Sequence, residues 1–429
     1  MADTIFALSS GAPPAGIAVI RISGRQAGHA LKAVCGDTLP EPRRAVLRAV
    51  RHPQSGDLLD RTLVIWLPGP NNATGEDSAE LYCHGGRAVV QAVEDALASL
   101  SGLRRAEPGE FTRRAFANGR MDLAEAEALS DLLFAETDMQ RRHALRQSEG
   151  LLSRAVNGWR NELLKASAMV EAELDFADED DVPPEQRIVL SGILQMLESD
   201  IRNALNAPPT ERLKDGVRVI IAGPPNSGKS TLFNALVQRE AAIVTDIAGT
   251  TRDLIEAPIA LNGVPLVIID SAGLHEVGDD RVEAIGMDRA RTAIAAADIV
   301  LWLGDIAQMP DHPQTLAIIA RADMRSDKTP CDGLTLSAET GQGMDALRSA
   351  LLDKAKTLLP DPDAPSYNAR QRSRLSELVQ ALSAAQAAQD MLIVGEELRN
   401  ARNALDAITG RLHTEDMLDA LFGKFCIGK

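Results

Sequence analysis

One octapeptide limits what this 429-residue chain can fold into more than any other: Gly223-Pro-Pro-Asn-Ser-Gly-Lys-Ser230. It fits the phosphate-loop pattern and stands between the apolar run Val217–Ala222 and a stretch of helical spacing that begins at Lys229. Glycines in such a loop let backbone N–H groups close around phosphates at a helix N-terminus, where the helix dipole favours anions. Asn226, Ser227, Gly228, Lys229, Ser230 and Thr231 are therefore the candidate phosphate contacts. Lys229 supplies a point charge to the β- and γ-phosphates, and the Ser230 hydroxyl is a ligand for Mg²⁺. Further apolar runs at Leu266–Ile269, Ile299–Leu303, Leu316–Ala320 and Leu334–Leu336 alternate with helical stretches, which predicts a parallel sheet covered by helices.

Asp270-Ser-Ala-Gly273 closes the Leu266–Ile269 run. A carboxylate there can hold Mg²⁺ through water, and the Gly273 N–H can sense the γ-phosphate. Between this segment and the phosphate loop lies Gly249-Thr-Thr-Arg-Asp253, where a threonine hydroxyl can complete the magnesium shell and act as a switch. Guanine is usually read by Asn-Lys-x-Asp, and here the chain has Ala320-Arg-Ala-Asp323. Asp323 keeps the two acceptor oxygens that meet guanine's ring N–H and exocyclic amine, while the Asn and Lys are absent. Ser337-Ala338 fits the second guanine motif, in which a backbone N–H meets the ring carbonyl. GTP is the expected substrate.

The flanking regions differ in texture. Residues 1–118 mix β-rich runs (Ile17–Ile22, Leu63–Leu67) with Gly/Pro turns and a helix after Gly86, an α+β pattern. From residue 119 Ala, Leu, Glu and Arg recur at helical spacing; one long helix is expected over Asp138–Leu174, then an acidic connection (Asp175, Asp178, Glu179, Asp180, Asp181) and a second helix up to Pro208-Pro209. Helical texture returns after Pro360–Pro365. The expected division is 1–118, 119–210, 211–360 and 361–429, a helical domain interrupted by a nucleotide domain whose ends lie close together.

Charge and cysteine content narrow the class. The net charge is −16, yet residues 1–118 hold 13 basic and 12 acidic side chains, so the negative field belongs to the rest. That field opposes non-specific binding to a polyanion and implies that any nucleic acid arrives at a local patch or on a partner. The four cysteines form no C-x-x-C pair, which argues against zinc and fits a reducing cytoplasm. No apolar run of about 18 residues exists to span a membrane, and Met1–Ser10 lacks the basic region of an export signal.

The phosphate loop, Gly-Thr-Thr-Arg-Asp, Asp-x-Ala-Gly and the terminal Phe425-Cys-Ile-Gly-Lys429 together resemble the MnmE (TrmE) tRNA-modification GTPases. So do Pro14-x-Gly-Ile-Ala-Val-Ile-Arg-Ile-Ser-Gly24 and Pro108-Gly-Glu-Phe-Thr112 through Glu127. The resemblance implies an N-terminal folate-binding domain that forms a homodimer, a discontinuous helical domain, and an inserted Ras-like α/β GTPase domain. It implies modification of carbon 5 of a wobble uridine with a flavoprotein partner, MnmG (GidA), which carries FAD, and a one-carbon unit from a tetrahydrofolate derivative; tRNA arrives largely through that partner. By position, Asn226 with Thr245, Ile247 and Thr250 matches the potassium site and its loop, and Ser230 with Thr251 the magnesium ligands. Leu274 replaces the water-orienting Gln of Ras-like enzymes, and Glu283 matches the family's water-positioning glutamate. Arg21, Glu80 and Arg120 stand at folate-pocket positions, and Cys426 matches a C-terminal cysteine considered functional. Ala320, Arg321, Ser271 and His275 depart from the family pattern. Two rivals remain at this level: a ribosome-assembly GTPase, disfavoured by the missing basic module, and a non-hydrolysing nucleotide-dependent scaffold, disfavoured by the full set of phosphate residues.

Overall fold

The computed structural model describes residues 3–175, 184–240, 255–271, 291–324, 333–412, 415–423 and 425–428. The chain divides into two compact units, Met1–Ser130 with Thr409–Lys429, and Asp131–Ile408.

In the first unit β1 (Thr4–Leu8), β2 (Ala15–Ser23), β3 (Ala45–Arg51), β4 (Leu58–Leu67), β5 (Ser78–Gly85) and β6 (Leu103–Arg105) form one sheet, ordered β3-β4-β5-β2-β1-β6. Only the β1–β6 pairing is parallel. Strand alternation sorts the side chains. Ile20 and Ile22 of β2 and Ala79, Leu81 and Cys83 of β5 are buried in one core with residues of the helices Ala27–Cys35 and Arg87–Ala98. The intervening Val19, Arg21, Glu80 and Tyr82 take the opposite face.

The chain's end belongs to this unit. Leu418, Phe422 and Phe425 share a buried cluster with Leu123 and Ala126. The Cys426 carbonyl accepts the Gly109 N–H at 3.5 Å. Gly428 (φ 94) lies so close to β1 that a Cβ there would come within 2.0 Å of the Leu8 carbonyl oxygen, so only glycine fits. Phe425–Gly428 is docked rather than frayed.

In the second unit β7 (Val217–Ala222), β8 (Ile255–Leu261), β9 (Val264–Asp270), β10 (Ile299–Trp302), β11 (Thr315–Ile319) and β12 (Leu334–Thr335) are ordered β12-β11-β10-β7-β9-β8. Every pairing is parallel except β8–β9. The central strands are apolar on both faces because both are covered: Val217, Val219 and Ile221 enter one core, Ile220 and Ala222 another.

Helices Leu151–Asp175 and Pro184–Asn206 precede this sheet, and Ala369–Ala387 and Met391–Thr409 follow it. The later pair returns to the earlier: Arg160 Nε bonds Asp406 at 2.8 Å and Ser383 Oγ donates to Glu198 at 2.9 Å. The single helix expected over Asp138–Leu174 is in fact two, Asp138–Ser148 and Leu151–Asp175. Gly150 takes φ 83 and its N–H caps the Gln147 carbonyl, which ends the first helix. Apolar periodicity on both sides of this glycine conceals the break. The acidic connection at 176–183 lies outside the described residues, and among those described no helix is long and apolar enough to cross a membrane.

His143, in the helix Asp138–Ser148, is only 3% exposed. Its Nε2 lies 2.8 Å from Ser366 Oγ, and Nδ1 has no hydrogen-bond partner among the described residues. Burial pushes its pKa down from 6.5 to about 4. The unfolded chain therefore binds the extra proton between these two values. The stability contribution is present above pH 6.5 and is lost as pH falls towards 4, by up to about 3 kcal/mol. Urea unfolding should show a steeper loss between pH 7 and pH 4.5 in the parent than in His143→Gln.

Candidate nucleotide site

The phosphate loop leaves the C-terminal end of β7 and enters the helix Lys229–Glu240. Two of its glycines are dictated by geometry. A Cβ on Gly223 (φ 152) would lie 2.4 Å from the Leu303 carbonyl, and Gly228 takes φ 99. Between them Asn226 holds φ 60, a left-handed conformation that costs a non-glycine residue roughly 1–3 kcal/mol and is found at ligand-binding loops.

Lys229 is 5% exposed and folds back over the loop, with Nζ donating to the carbonyls of Gly223 (3.0 Å) and Pro224 (2.9 Å). Burial lowers its pKa and the nearby Asp270 charge opposes that shift. The ammonium is thus held ready beside the loop, weakly solvated and open to an anion. Ser230 Oγ donates to Asp270 Oδ2 at 2.8 Å, and Asp270, at the end of β9, is 2% exposed. Ser271 supports it from below, its hydroxyl donating to the Ile221 carbonyl at 2.7 Å. Ser227 Oγ is buried without a hydrogen-bond partner among the described residues. An orphaned hydroxyl in a loop of this shape is a group waiting for a ligand oxygen. The paired serine hydroxyl and carboxylate are hard oxygen donors, and Mg²⁺ favours such donors together with phosphate oxygens; the residues fit that ion.

The segments expected to read the base follow β11 and β12, at the same end of the sheet as the phosphate loop. Asp323 lies in the short helix Ala322–Met324 that follows β11. Arg321, also left-handed at φ 61, sends Nη2 to the Asn226 carbonyl at 2.9 Å. This link between base-side and phosphate-side loops joins residues 95 apart, and no sequence signal marked it. The Ser337 N–H is already donated to the Gln342 carbonyl at 2.9 Å. Thr245, Ile247, Thr250, Thr251, Gly273, Leu274, His275 and Glu283 lie outside the described residues.

In the first unit Arg21 and Glu80 face one another across β2 and β5 and form an ion pair at 3.0 Å. Two neighbours were not anticipated from sequence. The Tyr82 hydroxyl donates to Glu80 at 2.8 Å, which raises the tyrosine pKa, and Arg21 stacks 5.7 Å from the Phe111 ring centre. Strand alternation from Glu80 to Tyr82 was the available signal. Arg120 Nε donates to the Asn72 carbonyl at 3.2 Å. Cys426 is exposed.

A family model described as the MnmE helical domain matches residues 123–426, and one described as the GTP-binding protein TrmE N-terminus matches residues 4–120. The tRNA modification GTPase MnmE of Erythrobacter litoralis is 56% identical over 427 residues, covering 100% of both chains. That of Rhizorhabdus wittichii is 57% identical over 428 residues, covering 100% of this chain and 97% of its own. That of Zymomonas mobilis is 48% identical over 434 residues, covering 99% and 100%. Among solved structures, the cytosolic domain of the T. maritima FeoB iron transporter in its GMPPNP form is 18% identical, with a TM-score of 0.24 over 46% of this chain and 98% of that one.

Proposed function

The chain belongs to the MnmE (TrmE) family of tRNA-modification GTPases, and on that premise we propose a potassium-activated GTP hydrolase that works with a flavoprotein on the wobble uridine. That it is a GTPase acting in tRNA modification sets aside the ribosome-assembly and scaffold readings. The observation that carries the hydrolytic reading is the cluster of Lys229, Ser230 and Asp270 around a loop whose buried Ser227 hydroxyl has no hydrogen-bond partner among the described residues. Lys229 and the loop amides orient the phosphates and offset the charge that grows on them during phosphoryl transfer. Ser230 and Thr251 would ligate Mg²⁺, with Asp270 behind it, and the ion when bound neutralises phosphate charge. Glu283 would position the attacking water.

Asn226 is the one member of the proposed potassium set within the described residues, Thr245, Ile247 and Thr250 being the others. A monovalent cation there would place fixed positive charge beside the leaving oxygen. Phosphate release should be at least about tenfold faster in KCl than in NaCl at equal ionic strength, an effect of about 1.4 kcal/mol on the barrier. Equal rates would remove the potassium assignment and leave the GTPase intact.

Asp323 is proposed to read guanine. Asp323→Asn should shift preference towards xanthine nucleotides, because the amide would meet guanine's donors with a donor. Competition binding with GDP and XDP tests this, and unchanged GDP preference would place base recognition elsewhere.

The finer tRNA chemistry rests on family membership. A tetrahydrofolate derivative at Arg21, Glu80 and Arg120 would deliver the one-carbon unit. FAD would be carried by MnmG (GidA), with tRNA reaching the complex largely through that partner and an aminomethyl or carboxymethylaminomethyl group forming at carbon 5. Residues 1–118, the helical segments 119–210 and 361–429, and the inserted GTPase domain 211–360 are its proposed working parts, in the cytoplasm. The stacked Arg21 and its carboxylate partner suit a ligand with an aromatic ring and polar edges. Homodimerisation is supported by the open sheet face, where Leu47 (67% exposed) lies directly opposite Leu63 (47% exposed), continuing to Tyr82 and Val19.

A further inference from the structure

The chain enters and leaves the nucleotide-binding part of its second unit through two segments that touch. Thr210, on the way in, and Ser366, on the way out, bring their hydroxyls to 2.9 Å, and the Thr210 N–H reaches the Tyr367 carbonyl at 3.4 Å. One helix, Asp138–Ser148, holds both segments. Gln140 Nε2 donates to the Leu213 and Lys214 carbonyls at 3.0 and 3.1 Å on the incoming side. His143 contacts Ser366 at 2.8 Å, and Gln147 Nε2 donates to the Ala364 carbonyl at 3.2 Å on the outgoing side. Gln140, His143 and Gln147 are spaced by three and four residues, so a single stripe of the helix makes all these bonds.

The first turn of the same helix meets the far end of β9. The Met139 N–H donates to the Gly263 carbonyl at 3.3 Å, and the Met139 side chain joins the apolar core beneath the sheet. Asn262 and Gly263, at φ 47 and 79, make the tight left-handed turn that joins β8 to β9. From Val264 at that turn, β9 runs directly to Asp270 beside Ser230. Seven extended residues form a stiff rod about 20 Å long. An open cleft of about 470 Å³, lined by Asp138, Arg142, Asn262, Lys356 and Pro362 among others, borders the contact and leaves the turn room to shift.

We propose that the helix Asp138–Ser148 is the transmission element of this GTPase: displacement of the β8–β9 hairpin with nucleotide state passes through the Gly263–Met139 contact to this helix, and from it to the two crossing segments. Hairpin sliding against a packed helix is a shear motion, and the Gln140–His143–Gln147 stripe converts it into a change at the neck of the nucleotide domain. The stripe thus acts as a positioning device.

Two measurements on the full-length protein test this. Hydrogen exchange is compared between saturating GDP and a non-hydrolysable GTP analogue, both with Mg²⁺. Amides of 138–148, 208–214 and 360–367 should differ at least about fivefold between the two states, the scale of ordinary allosteric coupling. Identical exchange in these three segments would overturn the proposal. Second, Ser366→Ala removes the bridge between Thr210 and His143 without touching the phosphate loop. GTP turnover should stay within about twofold of the parent, while modified tRNA formed per GTP hydrolysed falls at least about fivefold. An unchanged yield per GTP, or turnover and modification falling in proportion, would assign the stripe a purely structural role.

Discussion

Lys229→Ala should lower kcat/KM for GTP by at least roughly 10²–10³-fold, the cost of removing one preorganised charged donor from a phosphoryl-transfer site. Lys229 is 5% exposed and its ammonium is already tethered to the Gly223 and Pro224 carbonyls, so binding GTP requires little further ordering of this side chain. Its burial also means that a phosphate meets a poorly hydrated charge, which strengthens the interaction relative to a surface lysine. Removing Nζ leaves two carbonyls to find other partners, so thermal unfolding of the variant should be followed alongside turnover. A folded Lys229→Ala protein with near-parent kcat/KM would contradict the assigned role.

Glu283→Ala should lower kcat by roughly 10²–10⁴-fold while nucleotide affinity stays close to that of the parent. A group that orients water acts in the transition state and contributes little to ground-state binding. The two variants are therefore expected to separate: Lys229→Ala loses nucleotide affinity and rate together, whereas Glu283→Ala loses rate alone. Single-turnover hydrolysis with equilibrium binding of a fluorescent GTP analogue distinguishes them. Retention of kcat in Glu283→Ala would mean that another residue holds the water.

What could be read from sequence was what is local. The phosphate loop announces itself because its glycines, lysine and serine must be contiguous to wrap a phosphate, and the apolar runs on either side are long enough to place β7 and the following helix. β9 was legible as far as Asp270 for the same reason. The break at Gly150 was not, since helical periodicity continues on both sides and only a left-handed φ reveals the turn. Contacts between distant residues escaped as well. Arg321 fastens the Asn226 carbonyl, a pairing set by where β11 ends in the sheet. Ser337-Ala338 was read as the second guanine motif, and the bond from the Ser337 N–H to the Gln342 carbonyl in the turn that follows had no sequence signal. The stripe Gln140–His143–Gln147 is three polar residues on a polar helix, and nothing in their identity shows that they grip both ends of an insertion. The terminal Phe-Cys-Ile-Gly was legible as a family signature, whereas its docking through Phe425 and Gly428 required the fold.

If, as proposed, hydrolysis of GTP at this site drives tRNA modification, nucleoside analysis of tRNA from cells lacking the gene tests that link most directly. The modified wobble uridine should disappear, return when the parent protein is supplied, and remain absent when Lys229→Ala is supplied at equal abundance. Undiminished modification without the gene, or full restoration by Lys229→Ala, would contradict it.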